Sequence, residues 1–322
     1  MDRQGPVAAV RAALDDFAHM HCAADEQWCV ALSGGADSLA LAAVAARSRP
    51  TTALIVDHGL QPESATVAAT ARDQALGLGC VDAQILRVEV GSSGGPEAAG
   101  RTARYAALDG ARRGGPVLVA HTLDDQAETV LLGLGRGSGA RSIAGMRPSD
   151  PPWCRPFLGV RRTVTHAACE ELGLVPWHDP HNAESRFTRV RLRAEVLPLL
   201  EEVLGGGVAE ALARTAIGLR EDVDLLDALA AESLATASSD GELNVAPLAD
   251  LPPALRRRVI RRWLLDGGAS GLTDGQIRDV DRLVVDWRGR GGVAVGSLLR
   301  NQRLFADRRG GVLILRSEAV QG

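Results

Sequence analysis

The fold of this chain follows from the stretch WCVALSGGADS at residues 28–38, which joins an apolar run to a helix-forming run. The run 28–32 has the length and composition of a buried strand, and SLALAAVAAR at 38–47 is rich in helix formers. Between them, small residues would let backbone N–H groups approach an anion closely, and the start of the helix adds positive partial charge. The stretch therefore predicts a strand, a phosphate-binding turn and a helix. A generic glycine-rich turn is the alternative, since the pattern is neither GxxxxGK[ST] nor GxGxxG.

The rest of the first half alternates strands with helices. The apolar runs that predict strands lie at 28–32, 52–57, 84–90 and 116–120, and the helix-forming runs at 38–47, 62–77, 97–113 and 124–134. This alternation predicts an α/β fold with a doubly wound, mostly parallel, Rossmann-like sheet. Ligands of such sheets bind at the carboxyl ends of the strands.

The second half predicts a smaller helical or α+β domain. The segment 135–160 is rich in Gly, Pro and Arg and is predicted to be a loop, and a helix is predicted at 162–172. Glycines 205–207 indicate a hinge before a long helix at 208–236. Further helices are expected at 252–266 and 273–287, and strands at 293–305 and 311–316. We predict a catalytic domain over 1–204, a helical linker over 205–236 and a small basic domain over 237–322.

Charge and composition limit the classes of function that this chain could have. All 36 basic residues are Arg, so any anion must be recognised by guanidinium groups. The formal charge of −4 conceals an asymmetry, because 201–250 is acidic whereas 251–322 holds fourteen Arg against seven acidic residues. A basic terminal module indicates nucleic-acid binding, with a solvated helix face as an equal alternative.

Cysteine usage and hydropathy indicate a cytoplasmic protein. The five cysteines form no CxxC pair, which argues against zinc ribbons, iron–sulfur sites and thiol relays. No apolar run of about 20 residues predicts a membrane span. Asp15 and Asp16 interrupt the first apolar stretch, so that stretch predicts an amphipathic helix rather than a secretory signal.

Four acidic residues predict a metal–phosphate site. Asp124 and Glu128 are four positions apart on a predicted helix and share one face. With Asp37 and Asp125 they would form an acidic pocket that needs Mg²⁺ to accept a phosphate. The alternative is an acidic helix start that complements the helix dipole.

Several arginines are candidates for phosphate contacts. Arg101 and Arg104 share a helix face and would neutralise a transferring phosphate or hold RNA, unless that face is simply solvated. Arg136 lies in a flexible RGSG segment that could close over a substrate, with an ordinary surface loop as an equal alternative. The run 189–193 could meet an RNA backbone, with a solvated helix as the alternative.

Beyond these arguments from the residues, the chain resembles a known family. SGGADS resembles the phosphate loop of the N-type ATP pyrophosphatases, the PP-loop superfamily. Seven more motifs, in this order and spacing, closely resemble the tRNA(Ile)-lysidine synthetases. They are Val56-Asp57-His58-Gly59-Leu60, Arg101-Thr102-Ala103-Arg104-Tyr105, HTLDDQAET at 121–129, Arg136-Gly137-Ser138-Gly139, Arg155-Pro156-Phe157-Leu158, Asp179-Pro180-His181-Asn182 and FTRVR at 187–191. The resemblance covers roughly residues 28–200, and beyond 200 only size and layout match.

The resemblance implies a two-step ligation that forms a C–N bond. The C2 oxygen of the wobble cytidine attacks the ATP α-phosphate and pyrophosphate leaves; the ε-amine of free lysine then attacks C2 and AMP leaves. The modified tRNA then decodes the codon AUA instead of AUG. The implied cofactors are ATP and Mg²⁺, and the implied partners are free lysine and the isoleucine tRNA with a CAU anticodon. No membrane partner is expected, and a homodimer is one expected assembly.

The resemblance and the residue chemistry together assign candidate roles. We expect ATP at Ser33, Gly34, Gly35, Ala36, Asp37, Ser38, Asp57 and His58, and Mg²⁺ at Asp37 and Asp124. A lone His at the end of a strand, such as His58, is as often structural. The expected catalytic residues are Asp37, Arg104, His121, Asp124, Asp125 and Glu128. Lysine is expected at Asp125, Glu128 and Arg136, and tRNA at Arg101, Arg189, Arg191, Arg257, Arg258 and Arg261.

Three positions depart from the family pattern. Thr122 replaces a second His, Val190 replaces an Asn, and Phe157 replaces a Leu. Two other functions remain as alternatives. One is a tRNA thiolase of the same superfamily, which the cysteine spacing disfavours. The other is a nucleotide- or RNA-binding protein without catalysis, which the presence of Asp37, Asp124 and Asp125 disfavours.

Overall fold

The computed structural model describes residues 5–23, 26–59, 63–89, 91, 96–137, 139–179, 184, 187–289, 291–299 and 301–319. The motif residues Leu60, Ser138, Pro180, His181 and Asn182 lie outside the described residues. The chain divides into two compact units, Met1–Leu219 and Arg220–Gly322. The three-part division at 204/205 and 236/237 stays a prediction.

The first unit is a doubly wound α/β layer structure. Its strands are β1 (Trp28–Ala31), β2 (Thr51–Asp57), β3 (Asp82–Arg87), β4 (Val117–Leu118), β5 (Ser149–Asp150) and β6 (Trp153–Cys154). Its helices are α1 (Pro6–His21), α2 (Ala36–Ser48), α3 (Ser64–Gly77), α4 (Pro96–Ala111), α5 (Leu123–Gly135), α6 (Ala140–Ile143), α7 (Arg162–Glu171), α8 (Thr188–Arg191) and α9 (Leu197–Leu204), with a π-helical turn at Leu192–Val196. The helix α10 (Val208–Ala237) begins in this unit.

The sheet order β3-β2-β1-β4-β6-β5 confirms the predicted mostly parallel sheet. Every neighbouring pair is parallel except β5 with β6. Strands buried on both faces are continuously apolar in sequence, as Ala53, Leu54 and Ile55 are here. Helices α1, α2, α3 and α7 cover one face, and Leu108 of α4 belongs to the core on the other.

Residues 135–160 differ from the predicted loop. They contain α6 and the hairpin of β5 and β6, and β6 joins the main sheet beside β4. Strands of two residues are too short to show a period-2 pattern, so the sequence alone does not reveal them. Their pairing depends on the neighbouring strand β4, which only the folded chain supplies.

The second unit is built on an antiparallel sheet. After α10 come β7 (Ser238–Ser239), β8 (Glu242–Asn244), α11 (Val245–Ala249), α12 (Pro253–Asp266), β9 (Ala269–Ser270), α13 (Asp274–Val285), β10 (Val293–Ser297), β11 (Gln302–Arg309) and β12 (Val312–Ala319). The sheet order is β7-β8-β12-β11-β10-β9. Trp263, Ile260 and Val280 lie in its core, where Arg256 and Asp281 also form a buried ion pair of 2.5 Å. This arrangement confirms the predicted smaller α+β domain. The expected strand 293–305 is two strands, because the chain reverses direction between β10 and β11.

Candidate active site

The glycine-rich loop lies between β1 and α2, at the carboxyl edge of the parallel sheet. Gly34 has a φ of +82°, a backbone conformation that favours glycine. The loop is held by its own hydroxyls: Ser38 Oγ donates to the Gly35 carbonyl at 2.9 Å and accepts from Ser33 N at 3.2 Å. Ala36 and Asp37 open α2, so the positive end of the helix faces the loop. This geometry fits a phosphate-binding turn.

A segment after α7 also holds the loop in place. Trp177 N donates to the Gly34 carbonyl at 2.9 Å. Gln74 of α3 fixes the same segment, because its Nε2 donates to the Val175 carbonyl at 2.9 Å. Sequence reasoning missed Trp177, since only the folded chain brings residue 177 beside residue 34.

Asp57 and His58 follow β2 at the same edge of the sheet. Asp57 is buried and its Oδ1 accepts a hydrogen bond from Gly59 N at 3.0 Å. Burial lowers the pKa of His58, and the positive charge of Arg104 lowers it further, while Asp57 opposes the shift. His58 Nδ1 is buried without a hydrogen-bond partner among the described residues. A neutral imidazole with a free polar atom beside an arginine fits a nucleotide contact.

The four predicted carboxylates do come together, and an arginine joins them. Arg162 Nη2 contacts Asp125 Oδ1 at 2.6 Å, and its Nε lies 3.4 Å from Asp37 Oδ2. The backbone N of Arg162 donates to Asp124 Oδ2 at 2.7 Å, and its Nη1 lies 3.5 Å from Glu128 Oε1. The acidic pocket is thus partly neutralised by the protein itself, with a guanidinium group that the sequence pattern did not single out.

The ionisation of Asp37 and Asp125 differs. Burial raises the pKa of Asp37, although a hydrogen bond from Thr165 Oγ1 and the charge of Arg162 oppose the rise. Burial also acts to raise the pKa of Asp125, but Arg162 and hydrogen bonds from Thr122 outweigh it and hold that pKa below its usual value. Asp125 is therefore the more firmly ionised of the two.

Thr122, which replaces a second His of the family pattern, has a structural role at the start of α5. Asp125 Oδ2 accepts a hydrogen bond from Thr122 N at 2.8 Å, and Thr122 Oγ1 accepts one from Asp125 N at 3.4 Å. This capping box starts α5. It fixes the direction of Asp125 at the first turn of the helix.

Glu128 is fully buried and surrounded by arginines. Arg193 Nε donates to Glu128 Oε1 at 2.8 Å, and Arg189 Nη1 lies 3.8 Å from Glu128 Oε2. A buried carboxylate needs such partners, since an unpaired charge costs several kcal/mol. Arg193 lies on the π-helical turn, a distortion that is frequent at functional sites.

His121 lies just beyond β4, near this cluster. Burial lowers its pKa to about 4; Asp125 opposes the shift, and Arg155, Arg101 and Arg189 add to it. Its Nδ1 is buried without a hydrogen-bond partner among the described residues. His121 is accordingly neutral at pH 7, so it can accept a proton or a hydrogen bond.

The candidate arginines of the first unit differ in their contacts and exposure. Arg101 stacks on Tyr105, with its guanidinium carbon 4.7 Å from the ring centroid, and Arg104 lies exposed on the same helix. Arg191 is exposed, and its Nη2 lies 2.8 Å from Glu195 Oε2. Arg189 lies instead beside the buried Glu128.

Arg136 stands apart from the carboxylates. It ends α5, so it lies about 17 Å along the helix axis from Asp125 at ~1.5 Å per residue. The structure does not bring it beside Asp125 or Glu128, and its role with lysine stays a prediction.

The three candidate arginines of the second unit lie on α12, and two of them form ion pairs with residues of other helices. Arg257 Nε lies 2.9 Å from Asp281 Oδ2, and Arg258 Nη1 lies 2.7 Å from Asp227 Oδ1. Arg261 is half-buried on the same helix. Part of the positive charge that the sequence suggested is therefore compensated, and the tRNA-binding role of these residues stays a prediction.

A cavity of about 140 Å³ opens beside the carboxylate cluster. At ~30 Å³ per water it holds about five waters, which suits a small molecule and not a nucleotide. Acidic, basic and apolar side chains line it: Asp124, Glu128, Arg161, Arg162, Arg193, Leu197, Pro198, Glu201 and Ala209.

Comparison with known proteins matches both units. A family model for the PP-loop domain matches residues 8–200, and a model for the TilS substrate binding domain matches residues 243–306. The tRNA(Ile)-lysidine synthase of Mycobacterium tuberculosis (strain ATCC 25618 / H37Rv) is 71% identical over 99% of this chain and 100% of that protein. The tRNA(Ile)-lysidine synthase of Mycobacterium leprae (strain TN) is 67% identical over the same shares.

A solved structure agrees at the level of the fold. The U34-tRNA thiolase NcsA from Methanococcus maripaludis, with its [4Fe-4S] cluster, has a TM-score of 0.53 and 16% identity, over 67% of this chain and 80% of that one. In the parts of this chain that the structure describes, no three His, Cys, Asp or Glu side chains are grouped as a metal site.

The parallel sheet, the SGGADS loop and the matched model define an ATP-using protein of the PP-loop class. The full-length identities are more specific: the chain belongs to the tRNA(Ile)-lysidine synthase family. The predicted family and fold class are confirmed. None of the described helices is long and apolar enough to cross a membrane.

Proposed function

We propose that this chain is an ATP-dependent ligase of the cytoplasm that joins free lysine to C2 of the wobble cytidine in the CAU-anticodon isoleucine tRNA. The observation that carries the proposal is the single network in which Arg162 links the phosphate loop, through Asp37, to Asp125 and Glu128 of α5. This network would make a site for adenylation adjacent to a site for a cationic amine.

The phosphate loop serves the adenylation step. Ser33–Ser38 would hold the phosphates, and Asp57 and His58 would contact the nucleotide. The cytidine C2 oxygen is a weak nucleophile, so positioning and charge neutralisation supply most of the acceleration. The exposed Arg104 is a candidate to neutralise charge on the leaving pyrophosphate.

Asp37 and Asp124 fit Mg²⁺ as two carboxylate ligands within a shell that ATP oxygens and water complete. Each already accepts hydrogen bonds, Asp37 from Thr165 and Arg162 and Asp124 from Arg162 N, but a carboxylate has about four lone-pair sites, so each retains some for a metal. A bound Mg²⁺ would supply neutralisation of phosphate charge.

The cavity beside Glu128 serves the second step. The lysine ε-amine has a pKa of ~10.4, so only about 0.1% is neutral near pH 7.4. A carboxylate must therefore bind the ammonium and take its proton before attack. Asp125, held ionised by Arg162, and the buried Glu128 are suited to this task.

The arginines outside this network would hold the tRNA. Arg101, stacked on Tyr105, offers a planar surface next to the exposed Arg104, which suits a base taken out of its stack. Arg189 and Arg191 would contact the backbone, as would Arg257, Arg258 and Arg261 of α12. These contacts would also distinguish tRNAs that share an anticodon. A homodimer would add further surface.

The test is transfer of radiolabelled lysine to an unmodified isoleucine tRNA transcript with a CAU anticodon, with ATP and Mg²⁺. A methionine tRNA with the same anticodon and an Asp37→Ala protein are the controls. We expect label only in the isoleucine tRNA with the unaltered protein. If tRNA-dependent AMP and pyrophosphate form without lysine transfer, the nucleophile is wrong; if a folded protein forms neither, the proposal fails.

A further inference from the structure

Arg161 lines the cavity and pairs with Glu210, and each of the two side chains has a polar atom that no described residue satisfies. Arg161 Nε and Glu210 Oε2 are both buried and lack hydrogen-bond partners within the described parts of the chain. Buried polar atoms nearly always have partners, so each such exception needs an explanation. One atom is a donor and the other an acceptor, which together suit a ligand with both kinds of group.

Arg161 is held rigidly beside the cavity. Its Nη1 donates to Glu210 Oε1 at 2.7 Å, and its Nη2 lies 3.2 Å from Asp124 Oδ1. Glu210 and Asp124 thus occupy two of the three guanidinium nitrogens and leave Nε to face another acceptor. The planar fork of Arg is well suited to a carboxylate.

Glu210 is fixed by the start of α10. Hydrogen bonding from Arg161 lowers its pKa, so Glu210 is ionised at neutral pH. Glu201 Oε2 and Oε1 accept hydrogen bonds from Val208 N and Ala209 N at 3.0 and 3.1 Å, which anchors the first turn of α10. The free oxygen of Glu210 is therefore presented by a well-held helix end.

Two neighbouring arginines line the cavity and have different partners. Arg162 pairs with Asp37 of the phosphate loop, and Arg161 pairs with Glu210 of α10. Leu197 and Ala209 supply apolar lining. These surroundings suit a ligand with a cationic group, a zwitterionic head group and methylene groups.

We propose that Arg161 and Glu210 form a specificity site for the head group of the amino-acid substrate. Arg161 Nε donates to the α-carboxylate, and Glu210 Oε2 accepts from the α-ammonium. The inference rests on the proposed function, since it places the ε-amine at Asp125 and Glu128. Such a site would select a free amino acid over a simple diamine.

Lysine and its diamine analogue differ in what they offer Arg161. Free lysine carries an α-carboxylate and has a net charge of +1 at neutral pH. Cadaverine, the same chain without the carboxylate, has a charge of +2 and leaves Arg161 Nε unpaired.

The experiment compares lysine, cadaverine and Nα-acetyl-lysine as nucleophiles in the tRNA-dependent reaction. The unaltered protein is expected to favour lysine over both analogues by about tenfold to 100-fold in kcat/KM, the loss expected for one charge-assisted hydrogen bond. Arg161→Gln and Glu210→Gln should raise the KM for lysine by a similar factor and affect cadaverine much less, so the preference for lysine should shrink. Arg11→Gln, an exposed Arg→Gln change on α1, is the matched control.

The outcomes separate the inference from the proposed function. Equal use of lysine and cadaverine by the unaltered protein would overturn the head-group site while leaving the ligase activity established. Parallel loss with both nucleophiles in Arg161→Gln would assign Arg161 a purely structural role. Absence of lysine transfer by the folded protein, with pyrophosphate release as the separate readout, would overturn both. The analogue series needs only the unaltered chain, so poor folding of a variant does not prevent the test.

Discussion

Acidification should destabilise this protein through His121. Burial lowers the pKa of this histidine to about 4 in the folded state. An unfolded histidine has a pKa of ~6.5, so just below that pH the unfolded chain binds a proton at His121 and the folded chain does not. The contribution to stability is complete above pH 6.5 and is lost as the pH falls from 6.5 towards 4.

The size of the effect follows from the two pKa values. Each pH unit between them changes the free energy of unfolding by ~1.4 kcal/mol. Acidification to pH 5.0 covers 1.5 of those units, so it should cost about 2 kcal/mol through His121 alone. In the His121→Asn variant, which keeps a polar side chain that does not titrate in this range, this portion should vanish.

The assay is urea denaturation of both proteins at pH 7.5 and pH 5.0. The carboxylates titrate in both proteins, so the difference between the two pH-dependent losses isolates His121. We expect the unaltered protein to lose about 2 kcal/mol more than the variant. Equal losses, or a His121 NMR titration with a midpoint above pH 6, would refute the reasoning.

Three further predictions concern the loop and the second unit. Asp37→Asn should abolish tRNA-dependent pyrophosphate release but keep the thermal midpoint within a few degrees, because the amide can still accept from Thr165; retained activity would remove Asp37 from the mechanism. Gly34→Ala should lower the free energy of unfolding by about 1–2 kcal/mol, since the positive φ strains an L-residue, and Gly35→Ala at φ −74° should change it far less. Neutralising Arg257, Arg258 and Arg261 together should weaken tRNA binding and reduce the salt slope of log K by up to about three; unchanged binding across a salt titration would contradict their role.

The chemistry of the candidate site could be predicted in large part from local sequence. SGGADS and DDQAET lie after strands, and the parallel sheet brings both to one edge. The Asp124 and Glu128 spacing correctly predicted a shared helix face. The partners of these carboxylates could not be predicted, because Arg162, Thr165 and Arg193 contact them across 37 to 128 positions of chain. Arg136 is the opposite case. It is close in sequence to Asp125, yet it lies at the other end of α5 and away from the carboxylates.

The sequence by itself determined the strand–turn–helix unit, the order of alternating elements and the types of residue at the sheet edge. These features depend on short-range periodicity, on small residues in the turn and on strand direction, all of which are local. Only the tertiary structure decided that Arg162 joins the carboxylates, that His121 is neutral and that Arg161 Nε and Glu210 Oε2 are buried without a hydrogen-bond partner among the described residues. Ion pairing and desolvation depend on what surrounds a side chain in space, and residues remote in sequence supply those surroundings.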